Sequence, residues 1–325
     1  MKHISIVVPV GHSSVTNIEG THQIFTEVNN LCISMEREPL FKVQLVGVAK
    51  ESEQRNGLFK IQPDALIHDV KRTDLIIVPA IFGDDSFERN KAFVPWIVDQ
   101  YNNGAEIASF CVGSFFLART GLLNGRQCAT HWRYANEFRQ LFPDAQLMDD
   151  RIITADSGIY TSGGAYSYTN LVIYLVEKYA GRDIAILISK AFMIDIDRFS
   201  QSPFIIFQGQ KAHEDDAVKQ AQEFIEKNYQ DKITVDQLAH MLAVGRRNFE
   251  RRFKKATANT VVEYIQRVKI EAAKKSLESS RENVNEVMYK VGYNDTKAFR
   301  TTFKKITGIS PLEYRNKYNK AIVMN

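Results

Sequence analysis

Phe299 to Tyr314 reads F-R-T-T-F-K-K-I-T-G-I-S-P-L-E-Y, and Phe249 to Tyr264, fifty residues upstream, reads F-E-R-R-F-K-K-A-T-A-N-T-V-V-E-Y. The offset is constant and gapless. Phe249 matches Phe299, Phe253 matches Phe303, Lys254-Lys255 match Lys304-Lys305, Thr257 matches Thr307, and Glu263-Tyr264 match Glu313-Tyr314. An internal repeat is one structural unit used twice. Two copies are too few for a solenoid, so the question is what a basic helical unit does in tandem.

Each copy reads as helix, turn, helix. In the first, Thr234 caps a helix with Gln237 three residues on, and Val235, Leu238, Ala239 and Leu242 form its apolar face. Ala243-Val244-Gly245 is the turn. The next helix runs from Arg246 to Lys255, with Phe249 and Phe253 inward and Arg246, Arg247, Asn248, Glu250, Arg251 and Arg252 outward. In the second copy Val284, Val287, Met288 and Val291 make the first helix and Gly292 to Asp295 the turn. The exposed side of the following helix holds Thr296, Lys297, Arg300, Thr301 and Lys304. This is a helix-turn-helix pattern, whose second helix enters the major groove. Arg and Asn suit guanine and adenine edges, and Lys meets phosphate. A single copy could be a solvated basic helix; two matched copies argue for double-stranded DNA as the partner.

These residues resemble the AraC-type DNA-binding domain, which joins two helix-turn-helix units by a long helix. Here that helix is Val261 to Leu277, and G-I-S-P-L-E-Y-R, Gly308 to Arg315, matches the family's closing motif. The first copy departs with Ala258 and Val261 where the second has Gly308 and Pro311. Gly245 and Lys297 stand where the family has Ser, which removes two helix-start or phosphate contacts.

A chain of 325 residues suggests two domains, and 44% hydrophobic content suffices for their cores. Net charge is +4, unevenly spread. From Glu214 onward 22 Lys and Arg face 15 Asp and Glu, a net +7; the earlier part has 20 against 23, a net −3. The basic excess sits where phosphate binding needs it. Cys32, Cys111 and Cys128 have no disulfide or metal spacing, and His12, His22, His68 and His240 have no metal partners, so neither metal nor cofactor is expected. The N-terminal M-K-H-I-S-I-V-V-P-V reads as a buried strand rather than a signal peptide, and no apolar run can span a bilayer. The expectation is a cytoplasmic protein with reduced thiols.

Residues 1–200 alternate strands and helices. Strands are read at Ile4–Val10, Phe41–Val48, Leu75–Ala80, Glu106–Phe110 and Gly158–Thr161. Helices are read at Ile18–Met35, Lys91–Asn102, Gly113–Thr120, Trp132–Phe142 and Ala165–Tyr179. The pattern predicts an α/β fold with a doubly wound, mostly parallel sheet, followed by an all-α domain. A charged linker is expected over 201–216 and the DNA-binding domain over 217–325.

In A-S-F-C-V-G-S, Cys111 directly follows a strand and precedes a helix, with Gly113 two residues later. Such an elbow exposes its central side chain, and a helix N-terminus favours thiolate. His131 lies in C-A-T-H-W. This region resembles the PfpI-like branch of the class I glutamine amidotransferase-like superfamily, of flavodoxin-like fold. G-L-L-N-G-R (Gly121–Arg126), T-S-G-G-A (Thr161–Ala165) and Q-S-P-F (Gln201–Phe204) look like GlxA-type regulators, which fuse that domain to an AraC-type one.

A cysteine nucleophile needs a base and an oxyanion hole. Val112 follows Cys111, where PfpI-type proteases carry a catalytic His, and P-A-I-F-G (Pro79–Gly83) lacks the double glycine that helps form the oxyanion hole. The favoured reading is no enzyme but a retired active site reused as a ligand pocket, with Cys111, Gly113, His131, Glu19 and Gly163 as candidate ligand-binding residues. A cysteine-dependent hydrolase or amidase, and a purely dimerising domain, remain as alternatives. The resemblance implies a homodimeric regulator controlled by a small-molecule effector, an amine or amino-acid metabolite, with RNA polymerase as partner if it activates a catabolic operon.

Overall fold

The computed structural model describes residues 1–196 and 198–319. Residue 197 of the expected first domain and 320–325 of the expected second lie outside the described residues. The chain divides into two compact units, Met1–Gln201 and Ser202–Asn325.

The first unit is organised by a seven-stranded sheet. Its strands are β1 (Lys2–Val8), β2 (Phe41–Gly47), β3 (Ala65–Leu66), β4 (Leu75–Val78), β5 (Glu106–Phe110), β6 (Ile153–Asp156) and β7 (Ile159–Ser162). Their order is β6-β7-β5-β4-β1-β2-β3, parallel throughout except for the β6–β7 pair. Its helices are α1 (Val15–Ser34), α2 (Ser86–Asn90), α3 (Phe93–Asn102), α4 (Gly113–Ala118), α5 (Ala135–Leu141), α6 (Tyr168–Ala180) and α7 (Arg182–Ala191), and short two-stranded pairs lie outside the main sheet.

Alternation along the buried strands sends side chains to opposite faces. Ile4 and Ile6 pack with Phe25, Leu171 and Ile188 under α1, α6 and α7, whereas Val7 packs with Phe93, Phe116 and Phe138 under α3, α4 and α5. The sheet is therefore covered on both faces, as near-continuous apolar strands require. Chain order reverses between β1 and β4, so the crevice at the carboxyl ends of β1, β4 and β5 is where such folds bind ligands.

The expected strands are present with ends shifted by one or two residues. Elements not anticipated include the short edge strand β3, the antiparallel β6, the five-residue α2 and α7. The expected Trp132–Phe142 helix is a 3-10 turn at Trp132–Tyr134 followed by α5.

The second unit is helical: α8 (Asp216–Lys227), α9 (Val235–Met241), α10 (Arg246–Thr257), α11 (Val261–Ser279), α12 (Val284–Lys290), α13 (Thr296–Thr307) and α14 (Pro311–Tyr318). It has two lobes. Val218, Leu238, Phe249, Phe253 and Tyr264 fill one core, and Leu277, Met288, Phe299, Phe303 and Tyr314 fill the other. The first half of α11 packs in one lobe and the second half in the other, so this helix joins them.

The repeat in sequence is a repeat of physical devices. Thr257 Oγ1 donates to the Phe253 carbonyl at 2.8 Å and Thr307 Oγ1 to the Phe303 carbonyl at 2.8 Å. Thr260 with Glu263 and Ser310 with Glu313 form capping boxes that start α11 and α14. Tyr264 and Tyr314 are buried, and their hydroxyls donate to Glu226 and Glu278. Both recognition-position helices end on a left-handed residue, Gly308 at φ +78° and Ala258 at φ +56°. Alanine accepts that conformation at about 1–2 kcal/mol.

Candidate functional site

The second helix of each unit, α10 and α13, turns one face to its lobe and the other to solvent. Phe249, Phe253, Phe299 and Phe303 are buried, while Arg246, Arg247, Asn248, Arg251, Thr296, Lys297, Arg300, Thr301 and Lys304 are exposed. At the repeat offset Arg247 corresponds to Lys297, Arg251 to Thr301, and Lys254 to Lys304. Glu250 corresponds to Arg300, so the two faces share an outline but differ in charge.

The cations fall into two groups. Arg247, Lys297, Arg300 and Lys304 have no ion-pair partner within 4.0 Å among the described residues, and Arg251 only donates to Asn248 at 2.9 Å. Arg246 reaches Asp236 at 3.0 Å and Glu250 at 3.5 Å. Arg252 is half-buried and grips Asp215 through two bonds of 2.8 and 2.6 Å. Asp215 also caps α8 by accepting from the Val218 N–H at 3.1 Å. Arg252 thus belongs to the lobe's framework, a role the sequence pattern alone did not reveal.

α13 begins with a strong cap, because Asp295 accepts from the Lys297 and Ala298 amides at 2.7 and 3.0 Å. The helix-start contact expected to be lost at Lys297 is supplied by Asp295. Gly245, which precedes α10, offers no side-chain cap.

In the first unit, β5 ends at Phe110 and α4 starts at Gly113, so Cys111 and Val112 make the whole turn. Cys111 has φ +54°, a strained setting for a side chain with a Cβ. The Cys111 amide donates to the Ser162 carbonyl at 2.8 Å, and the Cys111 carbonyl accepts from the Ser114 and Thr130 hydroxyls at 3.0 and 3.3 Å. Gly113 is obligatory here: a Cβ would lie 2.4 Å from the Pro79 carbonyl oxygen.

The elbow does not present a thiolate. Cys111 is 4% exposed and packs with Ala80 and Val112. Burial pushes its thiol up to about 11, against a smaller opposing contribution from the Val112 amide. The six-residue α4 does not offset the desolvation, so the expectation of a thiolate is overturned.

His131 is half-buried, and burial followed by the Arg133 charge lowers its pKa. Its Nδ1 accepts from the Arg133 amide at 3.1 Å, and its ring lies against Trp132 and Tyr134. Glu19 is exposed on α1. Among the described residues no hydrogen bond joins Cys111, His131 and Glu19, and no group of three His, Cys, Asp or Glu could hold a metal ion.

Gly163 has a structural task. A Cβ there would sit 2.4 Å from Gln201 Nε2 and 2.7 Å from the Thr130 carbonyl oxygen. Gln201 is buried; its amide donates to the Thr130 and Arg151 carbonyls at 3.0 and 3.1 Å, and its Oε1 accepts from the Trp132 amide at 3.2 Å. The first residue of the Q-S-P-F motif therefore clasps the segment that carries His131.

An open cleft of about 470 Å³ borders the elbow on its Val112 side. Phe82, Phe87, Phe115 and Tyr134 give it aromatic walls, and Asp84, Glu137 and Arg119 give it charge. Arg119 stacks over the Phe87 ring at 4.6 Å. Sequence reasoning named none of these residues except as members of helices and turns.

The paired basic helices on a two-lobed helical unit, in a chain that also carries a doubly wound α/β unit, define a DNA-binding transcriptional regulator. Comparison with known proteins agrees. Residues 26–178 match the DJ-1/PfpI family and residues 238–317 match the helix-turn-helix domain. The chain thus joins a DJ-1/PfpI-family domain to an AraC-type helix-turn-helix domain. It is 26% identical over 259 residues to the HTH-type transcriptional regulator GbdR of Pseudomonas aeruginosa, covering 79% of this chain and 70% of that protein. The crystal structure of an AraC family transcriptional regulator from Pseudomonas putida superposes with a TM-score of 0.51 at 16% identity, covering 59% of this chain and all of that one. The chain is also similar to an enzyme, the isonitrile hydratase of Pseudomonas putida, at 27% identity over 129 residues, 40% of this chain and 55% of that protein. No helix among the described residues is long and apolar enough to cross a membrane.

Proposed function

We propose that this regulator reads DNA through α10 and α13 and is controlled by a small cationic or zwitterionic metabolite held in its DJ-1/PfpI-type domain. The observation that carries the DNA half is the set of outward cations without ion-pair partners on both helices: Arg247, Arg251, Lys297, Arg300 and Lys304. Unpaired cations are free to displace counterions from phosphate or to meet base edges. Arg246 contributes after leaving Asp236. Asn248, Thr296 and Thr301 supply neutral contacts. Arg252 is assigned to stability instead.

For the effector, the cleft beside the elbow supports an amine or amino acid. Asp84 and Glu137 form no ion pair among the described residues, and the aromatic walls favour a cation. Arg119 can meet a carboxylate. Of the ligand-binding residues expected from sequence, Cys111, Gly113, His131, Glu19 and Gly163, none lines this cleft; Cys111 and Gly113 flank Val112, which does. The buried protonated thiol, unbonded to His131, supports a non-catalytic domain. A homodimer that activates transcription with RNA polymerase in the cytoplasm completes the reading.

The test is a thermal shift of the full chain against amines and amino acids, since a ligand bound only to the native state raises Tm. The expected result is a hit that Asp84→Asn with Glu137→Gln abolishes. Hits unaffected by those changes place the effector elsewhere, and turnover lost in Cys111→Ser favours a hydrolase.

A further inference from the structure

Lys269 lies on α11 with 7% of its surface exposed and, among the described residues, no carboxylate bonded to it. Burying an ammonium is costly unless its donors are met. All three are. Nζ donates to the Asp231 carbonyl at 3.2 Å, the Val291 carbonyl at 3.2 Å and the Gly292 carbonyl at 3.3 Å. An ammonium has three donors and no acceptor, so this set satisfies it completely.

The acceptors come from different lobes. Asp231 ends the turn after α8, which packs in the first lobe. Val291 and Gly292 open the turn of the second helix-turn-helix, between α12 and α13. Gly292 is pressed so close to the first lobe that a Cβ would lie 2.0 Å from the Gln230 carbonyl oxygen and 2.6 Å from Lys269 Nζ. The two lobes have separate apolar cores, joined by α11 and by the segment after α8, whose Tyr229 packs against the second core; their relative setting depends on these links and on polar contacts of this kind. The residue fifty positions on, Asn319, makes the same type of contact within the second lobe, donating to the Leu277 and Ser280 carbonyls at 2.9 Å each.

We propose that Lys269 is a positioning residue that fixes the separation and phase of the two recognition helices, and so sets the spacing of the two DNA boxes the protein accepts. Lys269 touches no DNA in this role; it ties the turn that leads into α13 to the lobe that carries α10. This rests on the DNA-binding reading above, and the experiment separates the two.

DNA is selected from a random pool with the full wild-type chain. Binding is then measured on the selected site, on the site with two base pairs inserted between its halves, and on each half alone. Lys269→Met keeps the length of the side chain and removes its donors. The wild type is expected to lose at least tenfold affinity on the insertion. Lys269→Met is expected to lose at least tenfold on the selected site, to discriminate the insertion less than threefold, and to keep half-site affinity within twofold. A Lys269→Met protein with the wild-type spacing profile overturns the proposal. Equal losses on half-sites and full sites assign Lys269 to general stability and overturn it as well. Should that variant be unfolded, Lys269→Gln, which keeps an amide donor, is measured with the same two outcomes. Failure of the wild type to enrich any sequence refutes the DNA-binding reading itself.

Discussion

Replacing Arg300 by alanine removes a cation from the outer face of α13 without touching the core below it. Arg300 is exposed and has no ion-pair partner among the described residues, while its neighbours Phe299 and Phe303 stay buried. Folding should therefore be unchanged and DNA binding should not. If Arg247, Arg251, Lys297, Arg300 and Lys304 each meet one phosphate, log affinity falls with log salt at a slope of about −4.5. One lost phosphate contact reduces that slope by about 0.9. A lost bidentate base contact instead costs about 1–3 kcal/mol, roughly five- to 150-fold, and relaxes the preference at one base pair. Arg252 is the contrast. Its guanidinium is occupied by Asp215, so Arg252→Ala should lower the melting temperature and leave the salt slope of DNA binding intact. Fluorescence anisotropy on a selected DNA site from 50 to 200 mM salt, with a thermal melt of each variant, reads all of these quantities. An Arg300→Ala protein with wild-type affinity and slope, or an Arg252→Ala protein with a reduced slope, refutes the division of the cations.

The first unit makes its own predictions. Gln201→Ala strands the Thr130 and Arg151 carbonyls and the Trp132 amide, so it should cost about 1–3 kcal/mol and lower the first thermal transition by several degrees; an unchanged melt contradicts the clasp. Cys111 should resist iodoacetamide at pH 7.5 in the folded protein and label readily once unfolded, because its thiol is pushed up to about 11; rapid labelling of the native chain, read by mass spectrometry, contradicts the buried protonated thiol. Burial raises the pKa of Glu106, but bonds from Lys178, Tyr179 and Tyr160 outweigh it, so the carboxyl lies below its usual range. A depressed acid contributes stability above its unfolded value, near about 4.3, and loses it as pH falls through the folded value. Glu106→Gln should accordingly melt earlier than wild type at pH 7, with the gap closing below about pH 4; a gap constant with pH contradicts this assignment.

The helix-turn-helix unit was legible because identical residues perform identical tasks fifty positions apart. Phe fills each core, Thr ties each helix end, Glu closes each capping box and Tyr anchors each following helix. The central strands were legible because parallel strands covered on both faces are nearly all apolar. The edge strands were not: β3 has two residues, and β6 is Ile-Thr-Ala-Asp, half of it polar. α7 begins just after Gly181, beyond the Ala165–Tyr179 helix read from the sequence, and was not anticipated. At the sites, residue type alone could nominate Arg252 but could not show Asp215, 37 residues away, holding it. The elbow at Cys111 was readable from Gly113, whereas the state of the thiol depends on how deeply the surrounding loops bury it. Lys269 looks like an ordinary helix-surface lysine until the second lobe folds against it.

The most direct test of the account is the affinity of the full chain for its selected DNA site, measured with and without the metabolites that raise its melting temperature. A ligand switches the protein only if it favours one state over another. The account predicts sequence-specific binding in which at least one amine or amino acid changes affinity fivefold or more, a change abolished by Asp84→Asn with Glu137→Gln. Specific binding indifferent to every stabilising metabolite would contradict it, and would leave the DJ-1/PfpI-type domain with an assembly role alone.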